Sequence, residues 1–418
     1  MMIKEKINYS LRSLVIILIS LFPIIDSLNG LLLNLNYSSK LGIIWRTILF
    51  FLLIGILFNN FNLKKTYQKI VLIFLFFSII ISYFLMILFP DNLELNPSIS
   101  IGVKLITVIL LLDGLLTLNA LDLLNLKSIT KIINLNAILI LLLYFIPFFL
   151  GYGFSVYSDG SGFKGFYYSN NELNAVLLMF FMYSIYMLNR YRSLIYGILS
   201  GGFLLGCLLI SSKSSVILCL IIIIYFLIKA SLSIIKSISK KKFILMICFL
   251  IFSLILFFVL FYSKIEMFVH RQLYLLNISD NFIEYFTSSR STFALNNFEN
   301  LYDSNNFILR LFFGNSGASK PCEMDVLDLF LYFGLFGFFD VVIFFVNKIK
   351  VLCYNKELIF LLTLILLYSF LTGHVLFYGI SGCYFAVFLS TMIIYVEFLK
   401  NKKMEGDVSE KSNASFWN

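Results

Sequence analysis

Blocks of about twenty apolar residues recur along this 418-residue sequence, and they limit the fold more than any other feature. An α-helix needs about that length to cross a hydrocarbon core of about 30 Å. Charged residues make up only 13% of the chain, whereas a soluble globular domain has roughly 25%. A soluble fold would also need polar faces alternating with the apolar ones, which these blocks lack. The sequence therefore predicts an all-α polytopic membrane protein.

About twelve transmembrane helices are predicted. They lie at 12–33, 42–58, 68–89, 98–118, 131–151, 172–188, 194–211, 214–230, 243–263, 326–346, 357–373 and 380–399. They divide the chain into a membrane domain of nine spans at 1–263, one long loop at 264–325, a membrane domain of three spans at 326–399 and a polar, disordered tail at 400–418.

The basic residues predict the orientation. Of the 32 lysines and arginines, 22 lie in segments on one side of these spans, 8 lie on the other side, and Arg46 and Lys104 lie within spans. Because short cytoplasmic loops carry the excess of Lys and Arg, both termini are predicted in the cytoplasm and the long loop outside the cell membrane. Basic residues in short loops account for the net charge of +10, so no nucleic-acid partner is predicted.

The long outer loop contains a predicted amphipathic helix. Its apolar face consists of Phe293, Leu295, Phe298, Leu301 and Tyr302, and its polar face of Asn296, Asn297 and Glu299. The Ser-Ser-Arg-Ser-Thr run at 288–292 supplies N-cap candidates, and the helix is expected to lie at the outer membrane surface. A second outer segment, 152–171, is rich in Gly, Ser and Tyr.

Charges within spans are rare because each costs about 2.5–3.5 kcal/mol on insertion scales. They are Asp26, Arg46, Lys104, Asp113 and Asp340. One interpretation is a structural ion pair of Asp26 with Arg46 or Lys104. The other is a positively biased polar cavity that opens to the outside.

Several outer cations suit the phosphate oxygens of a head group, although each is also explained as a surface residue. They are Lys164, Arg271, Arg290, Arg310 and Lys320. Glu323, Asp325 and Asp328 lie at the mouth of the tenth span. These carboxylates suit a helix N-cap, a general base for a sugar hydroxyl, or a divalent metal site.

Two polar groups at span ends have similar alternatives. Ser169, Asn170, Asn171 and Glu172 open the sixth span, where they either cap the helix or bind substrate. His374 ends the eleventh span, either as an interfacial residue or as part of a site. The six cysteines have no paired spacing, and no phosphate-binding glycine loop, nucleotide fingerprint or zinc motif occurs. No cofactor is predicted.

Three strings give the sequence a specific resemblance. The first runs from Gly162-Phe163-Lys164-Gly165-Phe166 to Asn170-Asn171-Glu172. The second is the serine and threonine run around Arg290, followed by Leu311-Phe312-Phe313-Gly314-Asn315. The third is Glu323-Met324-Asp325, followed by Tyr332-Phe333-Gly334-Leu335-Phe336-Gly337. With the span pattern, they resemble the O-antigen polymerase and ligase family, especially the capsular and exopolysaccharide repeat-unit polymerases of Gram-positive bacteria.

This resemblance implies metal-independent transfer of glycan from an undecaprenyl-pyrophosphate-linked donor to a lipid-linked acceptor on the outer face. It also implies a fold similar to C-type membrane glycosyltransferases, working in the bilayer with a flippase and a chain-length regulator as partners. The family's ligases have a histidine just before the corresponding span, where this chain has Glu323 and Asp325, which weakens the ligase alternative. A flippase for lipid-linked oligosaccharide remains a further alternative.

The expected roles follow from chemistry and position. Arg290 begins the amphipathic helix, where free N–H groups also favour an anion, and is expected to hold the pyrophosphate. Glu323 or Asp325 is expected to orient or deprotonate the acceptor hydroxyl. The residues expected to bind substrate are Arg46, Lys104, Lys164, Asn170, Asn171, Arg310, Lys320, Asp328 and His374.

Overall fold

The computed structural model describes residues 2–60, 95–157, 160–234, 262–279, 281–304, 306–314, 321–376 and 378–404, with isolated positions between 73 and 88. The regular elements in these ranges are helices, apart from one isolated antiparallel bridge between Ser155 and Phe163. Most positions of the predicted spans 68–89 and 243–263 lie outside the described residues, as do Lys320 and most of the predicted tail. The all-α prediction is confirmed for the described part of the chain.

Most helices follow one another through short turns. In chain order they are α1 (Met2–Ser20), α2 (Phe22–Asn34), α3 (Leu41–Asn59), α4 (Leu95–Ala120), α5 (Leu126–Phe149), α6 (Asn170–Tyr191), α7 (Leu194–Ile210), α8 (Lys213–Ile234), α9 (Tyr262–Ile278), α10 (Phe282–Thr287), α11 (Arg290–Tyr302), α12 (Phe307–Phe313), α13 (Asp325–Ile349), α14 (Lys356–Thr372) and α15 (Gly379–Met404), with a 3₁₀ turn at Lys350–Tyr354. Because α15 ends at Met404, the first residues of the predicted tail are helical.

Six of the described helices are long and apolar enough to cross a membrane. They are α3, α4 from Ser100, α5, α6, α13 with the following 3₁₀ turn, and α15 up to Lys402. A seventh span results if α1 and α2 are counted as one. The chain is therefore a polytopic membrane protein. Three more predicted spans correspond to α7, α8 and α14, and the count of twelve stays a prediction.

The first predicted span, 12–33, is not a continuous helix. Its two halves, α1 and α2, are bent by 48° relative to each other, and Pro23 lies in the first turn of α2. Proline has no N–H to donate, and its ring clashes with the carbonyl four residues earlier, so a helix breaks at this point.

The centre of the bundle is formed by α6 and α15. Residues buried inside the protein make up 78% of the apolar window of α6 and 83% of that of α15, against 28% for α3. Phe180 of α6 packs edge-on against Tyr384 and Phe388 of α15, with ring centroids 5.3 and 4.9 Å apart. The outer helices, by contrast, leave much of their apolar surface for lipid.

Two ion pairs neutralise charges within the spans. Asp26 and Arg46 approach to 2.6 Å, which confirms the structural ion pair expected for Asp26. Asp113 and Lys348 also approach to 2.6 Å, and their side chains are 3% and 14% exposed. A buried charge that loses its partner costs about 3–5 kcal/mol, so both pairs hold their helices in register. Lys348 was predicted only as an orientation charge.

Two glycines bring two of the sequence strings into contact. Gly334 kinks α13 with φ 65° and ψ −169°, and Gly314 ends α12 with φ 101°. A Cβ on Gly334 would lie 2.4 Å from the backbone nitrogen of Gly314. Both positions therefore require glycine, for their backbone conformation and for this close approach. The contact holds α12 against α13.

Candidate functional site

The N-terminal ends of α6, α13 and α15 meet at one end of the bundle. Glu172 in the first turn of α6 accepts a hydrogen bond from the backbone N–H of Ile380 in α15 at 2.7 Å. Phe298 of α11 stacks on Phe330 of α13, with ring centroids 5.8 Å apart. This contact holds α11 over the same end of the bundle. The polar residues gathered here are called the mouth cluster and are Lys213, Arg290, Glu323, Asp325, Asp328, His374 and Tyr378.

Arg290 and Glu323, both predicted as catalytic, contact each other. The Nε and Nη2 groups of Arg290 lie 3.3 and 3.1 Å from Oε2 of Glu323. Nη1 donates to the carbonyl of Thr287 at 3.4 Å. The Arg290 side chain is 12% exposed and that of Glu323 43%, so the pair opens to the surroundings through its carboxylate.

Strained backbone positions this pair. Ser288, Ser289 and Glu323 have φ values of 55°, 63° and 58°. Left-handed conformations cost non-glycine residues about 1–3 kcal/mol and cluster at functional sites. The turn at Ser288 and Ser289 places Arg290 at the first position of α11. From there its side chain reaches Glu323 in the loop before α13.

The amphipathic helix predicted from the apolar face at 293–302 is confirmed as α11, but two of its expected details are wrong. Ser289 occupies the N-cap position without a side-chain capping bond. The buried residues are Ala294, Asn297 and Leu301, whereas Leu295 and Tyr302 are exposed. Asn297 was expected on the polar face, yet it donates to the sulfur of Cys322 at 3.2 Å, because tertiary packing overrides the local pattern.

Asp325 is fully buried and holds the loop that precedes α15. Its Oδ1 accepts from the backbone N–H of His374 at 2.9 Å. Its Oδ2 accepts from the N–H groups of Val375 and Leu376, both at 2.8 Å, and from the hydroxyl of Ser369 at 2.7 Å. The carboxylate thus joins the first residue of α13 to the end of α14 and the following loop.

Asp328 performs the same task on the opposite loop. It accepts from the backbone N–H groups of Cys322 and Met324 at 2.6 and 3.2 Å, and it is 2% exposed. The two aspartates therefore hold two facing loops, one with Glu323 and the other with His374.

Tyr378 lies at the centre of the mouth cluster. Its ring stacks on that of His374, with centroids 3.9 Å apart, and the Lys104 ammonium lies 5.5 Å from its centroid. Burial raises the pKa of the Tyr378 phenol, and the nearby negative charges of Asp328, Asp325, Glu323 and Glu172 raise it further. Carboxylates from α6 and from the start of α13 therefore lie near the ring of Tyr378.

Lys213 belongs to the same cluster, although it was not predicted as a site residue. Its ammonium donates to the backbone carbonyl of Tyr285 and lies 4.2 Å from the centroid of that ring. Burial lowers the pKa of Lys213 to about 8, and the positive charge of Arg290 contributes to the shift. Its place in the Ser-Ser-Lys-Ser-Ser turn at 211–215 was the available signal.

Arg46 uses its guanidinium within the protein. Besides its bond to Asp26, it donates through Nε to the carbonyl of Gly379 at 2.7 Å and through Nη1 to that of Gly42 at 3.1 Å. These contacts tie α3 to the start of α15. Arg46 therefore holds the start of α15 in place, and its predicted binding of substrate stays a prediction.

The predicted residues of the 152–171 segment hold that segment together. Asn170 donates to the carbonyl of Val156 at 3.1 Å, and the carbonyl of Asn171 accepts from the Tyr368 hydroxyl at 3.5 Å. Ser169 accepts from the N–H of Glu172 at 3.4 Å, which confirms capping at the start of α6. Lys164 donates to the carbonyl of Tyr168 at 3.2 Å, and partial burial lowers its pKa.

Arg310 lies in α12, outside the mouth cluster. Among the described residues, no group of three or more His, Cys, Asp and Glu side chains could hold a metal ion. The cations of the mouth cluster instead suit an anion.

The chain was also compared with known proteins. No protein-family model matches it, and no curated protein or solved structure matches it.

Proposed function

We propose that this protein is a membrane glycosyltransferase that polymerises lipid-linked oligosaccharide repeat units on the outer face of the cell membrane. The glycan passes from an undecaprenyl-pyrophosphate donor to a lipid-linked acceptor. The proposal includes a twelve-span fold similar to C-type membrane glycosyltransferases, with both termini in the cytoplasm. Its main support is the contact between Arg290 and Glu323, which joins a cation and an exposed carboxylate at one site.

Arg290 suits the leaving group. Pyrophosphate departs readily, so the enzyme mainly has to align the substrates and stabilise the charge that develops on the phosphate oxygens. A guanidinium holds such oxygens through two parallel N–H bonds, and Lys213 adds a second positive charge close by. In this proposal the pyrophosphate replaces Glu323 as the partner of the guanidinium.

Glu323 suits the acceptor better than Asp325 does. The Glu323 side chain is 43% exposed, whereas Asp325 is fully buried and accepts four hydrogen bonds from the protein. An acceptor sugar hydroxyl can reach only the first of these carboxylates. We therefore assign orientation of the acceptor hydroxyl to Glu323 and positioning of the loop that precedes α15 to Asp325.

Chain extension by the purified protein is the direct test. In proteoliposomes supplied with a lipid-linked repeat unit, the proposal expects products longer than one repeat and release of undecaprenyl pyrophosphate. A cell that lacks the gene should keep single repeat units on its lipid carrier. Long chains in that cell would contradict the proposal. Accumulation of lipid-linked units on the inner leaflet alone would instead favour the flippase.

The proposed site must face the outside, and cysteine labelling tests this. A Ser304→Cys variant should react in intact cells with a thiol reagent that cannot cross the membrane. The exposed Cys353 lies on the predicted cytoplasmic side and provides the internal control, because it should react only after permeabilisation. The reverse pattern would overturn the orientation and the site with it.

A further inference from the structure

His374 is one of only two histidines in the chain, and the protein holds it firmly. Its backbone N–H donates to Asp325 at 2.9 Å, and its carbonyl accepts from the hydroxyl of Ser381. Its φ of 63° lies in the left-handed region. This conformation strains a residue that has a side chain, and it persists only where the surrounding structure enforces it. A histidine at a span end that only faced the interface would need none of these constraints.

The ring of His374 is held in one tautomer. Its Nδ1 lies 3.1 Å from the carbonyl oxygen of Thr372. Because a carbonyl only accepts, Nδ1 carries the proton, and the neutral ring has its lone pair on Nε2. Among the described residues, no group donates a hydrogen bond to Nε2. Stacking on Tyr378 at 3.9 Å fixes the plane of the ring.

This ring is held beside the site of the proposed transfer. A Cβ on Gly373 would lie 2.4 Å from the carbonyl oxygen of Glu323, so the loop with His374 packs directly on the backbone of Glu323. The carboxylate of Glu323 in turn contacts Arg290. His374 therefore directly follows the residue through which its loop packs on the backbone of Glu323, the proposed acceptor-side group.

We propose that His374 is the general base of the transfer; this inference rests on the function proposed above. Its Nε2 takes the proton of the acceptor hydroxyl while that oxygen forms a bond to the anomeric carbon of the donor. The bond from that carbon to the phosphate oxygen breaks, and pyrophosphate leaves with the electron pair. The imidazolium then gives its proton to the released pyrophosphate or to water. Glu323 suits the proton less well, because its carboxylate already contacts the guanidinium of Arg290.

The charged and titratable groups that lie near the stacked rings of His374 and Tyr378 are consistent with this role. They are Glu323, Asp325 and Asp328 at the start of α13, Glu172 of α6, Lys104 of α4 and the phenol of Tyr378. The carboxylates stabilise the imidazolium that forms during the reaction, as the third group of a nucleophile–base–carboxylate arrangement does.

Two substitutions separate chemistry from folding. His374→Asn keeps a residue tolerated at this φ and an amide that can donate to Thr372, but it lacks Nε2. His374→Gly also suits the backbone and leaves room for a free imidazole. Both variants should extend chains about 10²–10⁴-fold more slowly than the unaltered protein, with similar thermal unfolding. Imidazole in the buffer should restore part of the rate of His374→Gly only. His270→Asn, at the exposed histidine of α9, should retain the normal rate.

Each result has a distinct meaning in this assay. Normal rates for both His374 variants would overturn the inference and leave the proposed function standing. A slow His374→Gly protein that imidazole does not accelerate would also overturn the inference, because the residue would then act by structure alone. If the unaltered protein makes no chains, the proposed function fails, and the role of His374 fails with it.

Discussion

In the proposed polymerase, replacing Arg290 with lysine should lower the rate of chain extension by about 10²–10³-fold, the usual cost of removing one contact made in the transition state. Lysine keeps the positive charge but loses the planar pair of N–H donors that fits two phosphate oxygens. The measurement is initial rate in proteoliposomes with a lipid-linked repeat unit at saturating concentration.

This loss should occur without unfolding. Arg290 contacts Glu323, whose side chain is 43% exposed, so the carboxylate is solvated when its partner is shortened. Exposed ion pairs contribute about 0–1 kcal/mol to stability. Arg192→Lys, at an exposed position on the predicted cytoplasmic side, is the matched control and should keep nearly the normal rate. A normal rate for Arg290→Lys would contradict the assignment and direct attention to Arg310 or Lys164.

Replacing Asp325 with alanine should destabilise the protein. Replacing Glu323 with glutamine should lower only the rate of chain extension. Without Asp325, the buried N–H groups of His374, Val375 and Leu376 lose their acceptor. Each buried donor left unpaired costs about 1–3 kcal/mol, so the loss should be roughly 3 kcal/mol or more. That is a large part of a typical stability of about 5–15 kcal/mol.

Thermal unfolding in detergent and the rate of chain extension together test this contrast. Glu323→Gln should unfold at the normal temperature and extend chains slowly, with donor binding intact, because the amide still occupies the same space. Asp325→Ala should unfold at a clearly lower temperature. An Asp325→Ala protein that unfolds normally but is inactive would make Asp325 a catalytic residue, and the assignment to loop positioning would be wrong.

The exposures of Arg290 and Glu323 suggest how the site is kept ready without substrate. A guanidinium that is 12% exposed is costly to leave without an anion. Glu323 supplies that anion, and under the proposed function it is exposed enough to turn away when pyrophosphate binds. Pre-organisation of this kind lowers the cost of binding, since the cation does not have to be ordered by the substrate.

The sequence by itself determined the helical architecture and the position of most helices. Apolar blocks of spanning length depend only on local composition, so the spans at 42–58 and 172–188 were predicted close to α3 and α6. The capping role of Ser169 and the helix beginning near Arg290 were also predictable, because both depend on residues three or four positions apart. The break at Pro23 was equally local, and the predicted single span 12–33 overlooked it.

Only the tertiary structure decided what the charged residues do. Asp113 pairs with Lys348, 235 positions away, and Asp325 accepts hydrogen bonds from residues 49 to 51 positions later. Lys213 lies near Arg290 although 77 positions separate them. Periodicity reports which face of a helix is apolar, but it contains no information about which distant loop packs on that face. A buried carboxylate that holds a loop and an exposed carboxylate therefore look alike in the sequence, and packing alone distinguishes Asp325 from Glu323.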